Sequence, residues 1–217
     1  MALEILKLTL GALQTNCYIL GDPDSGSAVV IDPSDRAGLI HKTAQDRGWT
    51  IREILATHAH FDHILAAADL KALTDAPFRL HRESLPLLNA MQERVRMWMG
   101  VEVPPAAQPD GFVEEGDPIT VDGIALDVLF TPGHAPGHVS YVLRDLRIVF
   151  CGDVLFPGSI GRTDLPDADY ETLMRSITEK LLPLGDDYTV APGHMHNTTI
   201  GHERQHNRFL LDYTDLR

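Results

Sequence analysis

Three apolar, strand-like runs in this 217-residue chain each lead straight into histidines. Ile51 to Ala56 runs into Thr57-His58-Ala59-His60-Phe61-Asp62-His63, and Ile124 to Phe130 into Thr131-Pro132-Gly133-His134. Tyr188-Thr189-Val190 runs into Ala191-Pro192-Gly193-His194. A fourth run, Ile148 to Phe150, ends in Cys151-Gly152-Asp153. Ligand-type residues repeated at separate strand ends constrain the fold: the strands belong in central sheets, with helices outside them.

The His58–His63 segment carries the first chemistry. A strand end entering a tight loop aims residues i and i+2 to one side, and the loop then turns Asp62 and His63 toward a neighbouring position. Two imidazoles beside a carboxylate–imidazole pair suit a divalent ion such as zinc, and also iron or manganese. The segment supplies part of each of two adjacent metal sites and completes neither. His134, held by a rigid Pro-Gly turn, and His194, in a second Pro-Gly-His turn, are the candidates for the missing ligands. Asp153 is the candidate for an acid bridging two metals about 3.5 Å apart.

Between these points the chain reads as strand, strand, helix, strand. Cys17–Leu20 and Ala28–Ile31 are short apolar runs, and Ser34 or Asp35 offers an N-cap for a helix ending near Gly48. Apolar spacing predicts helices from His63 to Ala76, from Glu83 to Gly100 and from Tyr170 to Leu181. Met91, Met97, Trp98 and Met99 read as core packing. The basic residues Arg79, His81, Arg82, Arg94 and Arg96, interrupted by Glu83 and Glu93, read as a solvated helix face. His138 reads as a structural residue that orients its loop or simply packs, and His196, His202 and His206 as surface or pocket-rim positions. The length fits a single domain over residues 1–217.

Charge and cysteine content narrow the partners. A formal net charge of −13 opposes a phosphate backbone, so no nucleic-acid partner is expected. No apolar run is long enough to span a membrane, and no signal peptide is evident. Cys17 and Cys151, the only cysteines, lie in apolar runs and read as buried thiols of a cytoplasmic protein.

From Asn16-Cys17-Tyr18 to about Asn207, His-x-His-x-Asp-His, Thr-Pro-Gly-His, Gly-Asp and Pro-Gly-His follow in an order that resembles the metallo-β-lactamase fold superfamily. Within it, Gly158-Ser159-Ile160-Gly161-Arg162-Thr163-Asp164 and Thr198-Thr199-Ile200-Gly201-His202-Glu203-Arg204 resemble the compact glyoxalase II-like hydrolases. The resemblance implies an α+β, four-layer αββα sandwich with metals at one end of its sheets. It assigns His58, His60 and His134 to one metal, Asp62, His63 and His194 to the second, and Asp153 to both. It also implies that Asp32 supports the site from behind and that Arg162 binds substrate. No C-terminal helical domain of the glutathione-binding kind is expected.

The implied activity is hydrolysis of a small-molecule thioester, such as S-lactoylglutathione, by a zinc-dependent monomer or homodimer. A thiolate with a pKa near 8.5 leaves with little acid assistance, and no further acid stands out in the sequence. The rival is a mononuclear iron persulfide dioxygenase of the same fold, which uses His58, His134 and Asp153 and shares the Gly-Arg-Thr-Asp segment. A nuclease or a non-catalytic binding protein is a third class, opposed by the acidic charge and the full ligand set.

Overall fold

The computed structural model describes residues 3–215. One six-stranded sheet contains β1 (Glu4–Leu10), β2 (Thr15–Asp22), β3 (Ser27–Ile31), β4 (Thr50–Leu55), β5 (Phe78–Leu80) and β6 (Gly111–Phe112), in sequence order. Its first three strands are antiparallel, and β3 through β6 run parallel. The second sheet draws on β7 (Pro118–Val121), β8 (Ile124–Phe130), β9 (Val139–Leu143) and β10 (Ile148–Gly152). A two-stranded ribbon of β11 (Leu155–Phe156) and β12 (Ser159–Ile160) follows. The chain then returns to the second sheet through β13 (Thr189–Pro192) and β14 (Thr198–Thr199), giving the order β14-β13-β10-β9-β8-β7.

Three apolar layers hold these elements together, and strand alternation sorts residues among them. Between the sheets lie Leu20, Ile31, Leu55, Leu143 and Phe150. Their chain neighbours Ile19, Val30 and Ile54 face the helices α1 (Ala37–Gln45) and α3 (Ala67–Thr74). On the other side Val142 and Cys151 face α6 (Tyr170–Ser176), α7 (Ile200–His206) and α8 (Arg208–Asp215). Strands β2, β3 and β9 are buried along their whole length because both of their faces are covered. This is the αββα sandwich implied by the sequence. Cys17 and Cys151 are both buried and free. Among the described residues no helix is long and apolar enough to cross a membrane.

Several expected helices are shorter than their apolar spacing suggests. The 63–76 segment divides into α2 (Phe61–Ile64) and α3, because α2 begins one residue after His60 and is anchored by the buried His63 and Ile64. The first helix starts after Arg36, in a left-handed conformation, and neither Ser34 nor Asp35 caps it; Asp35 Oδ1 instead accepts from the Arg36 N–H at 2.7 Å. The 83–100 segment breaks at Ala90 into α4 (Leu85–Asn89) and α5 (Met91–Met99). The 170–181 segment leaves α-helical pairing after Ser176 and continues as a π-helical turn to Leu181.

On α5 Met91 and Val95 are buried, while Met97 and Trp98 are 71% and 61% exposed. Met99 is also exposed, and core packing fails for these three. The basic cluster is not one helix face either. Arg79 sits in β5 and makes a two-pronged ion pair with the buried Glu53. Arg82 covers the ring of Phe112 at 4.2 Å, and His81 is largely buried.

Candidate metal centre

Strands β4, β8, β10 and β13 all end on the same edge of the sandwich, and each releases its ligand-type residue there. His58 follows β4, His60 precedes α2, and Asp62 and His63 lie within α2. His134, Asp153 and His194 follow β8, β10 and β13. All seven residues singled out for metal binding meet.

Their ligand atoms form two groups. His58 Nε2 and His134 Nε2 lie 3.0 and 2.9 Å from His60 Nδ1. In the second group Asp62 Oδ2 is 3.5 Å from His63 Nε2 and 3.2 Å from His194 Nε2. Asp153 stands between them. Its Oδ2 is 3.6 Å from His134 Nε2 and 3.5 Å from His194 Nε2, and its Oδ1 is 3.4 Å from His63 Nε2. Within each of the trios His58/His60/His134 and Asp62/His63/His194, the ligand atoms lie no more than 4.8 Å apart.

The donor set fits divalent cations on a direct observation. His63 Nε2 and Asp153 Oδ1 are fully buried and have no hydrogen-bond partner. Leaving buried polar atoms unsatisfied is costly, and a cation between them satisfies both.

Each imidazole is aimed by its other nitrogen. His134 Nδ1 donates to the Arg162 carbonyl at 2.9 Å, and His194 Nδ1 donates to that of Leu13 at 3.1 Å. A carbonyl only accepts, so both rings turn an unprotonated Nε2 toward the site when neutral. Asp32 takes the same part for His63, whose Nδ1 lies 2.9 Å from Asp32 Oδ2. Asp32 also accepts from the Thr57 N–H and hydroxyl, at 2.7 and 2.8 Å. Thr57 Oγ1 in turn contacts His58 Nδ1 at 3.0 Å.

Electrostatics divide the cluster. Burial, with neighbouring imidazoles, pushes His58 well below its ordinary value and His60 to about 3. Burial likewise lowers His134, so these three are neutral lone-pair donors at pH 7. Around His63 burial is outweighed by Asp62, Asp153 and Asp32, which hold it well above the ordinary range. His194 loses to burial but gains more from Asp153 and Asp62, reaching about 10. Asp62 is opposed by burial yet held at about 2 by His63 and His194.

Thr15 and Thr57 were not legible as site residues. Thr15 Oγ1 donates to Asp62 Oδ2 at 2.8 Å from the start of β2, and nothing in its local sequence signals that. His138 does more than pack: its ring stacks on His58 at 4.8 Å and its Nε2 accepts from the Asp153 N–H at 3.2 Å. Arg162 lines the cleft, but its guanidinium is paired with Asp164. His202 and His206 are exposed and stack on each other at 4.6 Å. Their spacing around Glu203 matches the zinc-protease pattern His-Glu-x-x-His. Glu203, however, faces the interior, where it accepts from Gly158, Thr198 and Asn207.

The family model described as the metallo-beta-lactamase superfamily matches residues 10–194, a span that contains all seven clustered residues. The chain belongs to this superfamily. It is 38% identical over 212 residues to hydroxyacylglutathione hydrolase GloC of Haemophilus influenzae, covering 97% of this chain and 98% of that protein. Among solved structures it is similar to BLEG-1 B3 metallo-beta-lactamase, with a TM-score of 0.89, 37% identity and coverage of 95% of this chain and 99% of that one. TTHA1623 in a di-iron-bound form matches with a TM-score of 0.85 and 40% identity, over 94% of this chain and all of that one (100%). ETHE1 from Myxococcus xanthus matches at 0.79 and 27%, over 100% of this superfamily member and 92% of that chain.

Asp32 offers a sharp test of the positioning network in this superfamily member. Asp32→Asn keeps the shape, and asparagine tolerates the left-handed backbone at this position (φ 54°). It cannot accept from Thr57 and His63 together as a carboxylate does. Metal affinity is expected to fall about 10- to 100-fold, measured by competition with a chromogenic chelator.

Proposed function

We propose that this chain is a metal-dependent hydrolase that holds two divalent cations and cleaves a small-molecule thioester such as S-lactoylglutathione. The observation that carries the reading is the pair of ligand trios meeting at Asp153. His58, His60 and His134 would hold one cation, Asp62, His63 and His194 the other, with Asp153 serving both. Zinc is the proposed metal, and iron or manganese suits the same nitrogen and oxygen donors. When bound, two such cations bring the pKa of a shared water to about 7 and polarise a substrate carbonyl. All seven ligands come from one chain, so monomer and homodimer are equally competent. The net charge of −13 disfavours a nucleic-acid substrate.

The chain's own residues support a thioester. The centre opens into a cleft of about 240 Å³. Apart from clustered residues, its walls are Leu13, Phe61, Trp98 and Leu165, with Arg94 and Arg162. None of these side chains donates a proton readily near neutral pH. An amine leaving group needs such a donor, whereas a thiolate does not. Thr15 and the Leu13 carbonyl fix Asp62 and His194 in place.

Metal analysis with parallel assays tests this. About two zinc ions per chain with turnover of S-lactoylglutathione is the expected result. One iron per chain with oxygen uptake on glutathione persulfide would replace it by the dioxygenase reading, which shares the Gly161–Asp164 segment and leaves His60, Asp62, His63 and His194 idle. Faster turnover of a cephalosporin than of the thioester would transfer the activity to a lactam. Asp62→Ala separates the first two readings: hydrolysis falls on the order of 10²- to 10³-fold with loss of one metal, whereas a mononuclear enzyme keeps its iron.

A further inference from the structure

Two arginines line the cleft, and they are not equally available. Arg162 presents Nε and Nη2 to Asp164 in a two-pronged pair, both contacts at 2.8 Å. That geometry occupies the edge of the guanidinium that recognises carboxylates best. Arg94 meets its partner Asp167 through a single contact, Nη2 to Oδ2 at 2.7 Å, and keeps its remaining donors. The Arg94 side chain is 29% exposed against 58% for Arg162, so a new charge pair there is less screened by water.

Position on the helix adds a second argument. Arg94 and Trp98 are one turn apart on α5, so they share a face, and both line the cleft. That face offers a cation beside a large exposed ring, in the cleft that the metal-ligand cluster also lines. Leu13 and Leu165 continue the apolar wall.

We infer that Arg94, rather than Arg162, recognises a carboxylate on the thiol carrier of the substrate, with Trp98 covering the carrier's apolar stem. The inference deepens the thioesterase reading and rests on it for the word substrate. Binding of the carrier itself can be measured without turnover. Asp167 need not leave, because the free donors of Arg94 reach a second carboxylate while one remains engaged.

The probe is S-methylglutathione, a thioether that carries carboxylates and has no cleavable thioester. Its binding to the metal-loaded protein is read by quenching of Trp98; the other tryptophan, Trp49, is buried. Arg94→Ala is expected to weaken binding roughly 10- to 100-fold, the range for hydrogen bonds to a charged group. Arg162→Ala should change it by under about 5-fold, as for an exposed pair. Arg94→Lys, which keeps the charge but not the fork, should fall between. In turnover, Arg94→Ala should raise KM for S-lactoylglutathione more than for the carboxylate-free S-acetyl-N-acetylcysteamine. Absence of probe binding, equal binding by wild type and Arg94→Ala, or a larger loss in Arg162→Ala would overturn the inference. Binding that depends on Arg94 without hydrolysis of any thioester would overturn the thioesterase reading and leave the carboxylate site standing.

Discussion

Asp153→Ala should reduce hydrolysis by about 10³-fold or more, because it withdraws the one side chain placed between both ligand trios. Asp153 Oδ2 lies within 3.6 Å of His134 Nε2 and 3.5 Å of His194 Nε2, while Oδ1 faces His63. No neighbouring carboxylate can take its place, since Asp62 is already fixed by Thr15 and His194. Metal content should fall from two per chain to one or fewer, measured on protein whose circular dichroism matches wild type. Retention of two metals and full activity would remove Asp153 from the centre.

Gly193→Ala should be nearly as damaging, through space rather than charge. A Cβ at Gly193 would stand 2.3 Å from Asp153 Oδ1 and 2.6 Å from His63 Cε1. Both neighbours are buried and positioned by other contacts, so neither can yield without leaving its place. Overpacking of this kind costs about 1–3 kcal/mol of stability. A displacement near 1 Å at the reacting groups costs on the order of 10²-fold in rate. Chemical denaturation and kcat measure the two effects separately. Gly38→Ala is the counter-case: it lies exposed in α1 with nothing within 4 Å of the added Cβ. That substitution should stabilise the protein by about 0.4–1 kcal/mol.

Much of the candidate centre was legible because its residues sit in local signatures. A strand that runs into His-x-His-x-Asp-His or Pro-Gly-His displays ligand types at an element end, where backbone direction is nearly settled by the next few residues. Helix lengths were less legible. The 83–100 segment has continuous helical spacing, yet it breaks at Ala90. Met97 and Trp98 nonetheless face outward, and Trp98 lines the cleft. Apolar periodicity reports which residues can be buried. It does not report which of two apolar stripes finds a partner.

Ligand-type residues at successive strand ends were determined by the sequence alone, together with the acidic charge and the placing of helices outside central sheets. Those properties follow from short-range periodicity and from residue chemistry. Tertiary structure alone decided that Thr57 orients His58 and that Thr15 secures Asp62, and it set the distances at which Asp153 and Asp32, already assigned by the family resemblance, meet the two trios and His63. It also decided that Glu203, in a zinc-protease spacing, is a buried structural acceptor. Each of these contacts except Thr57 with His58 joins residues far apart in the chain or depends on which way a helix face is turned. Only the packed sandwich, which brings the ends of β4, β8, β10 and β13 to one edge, sets those distances.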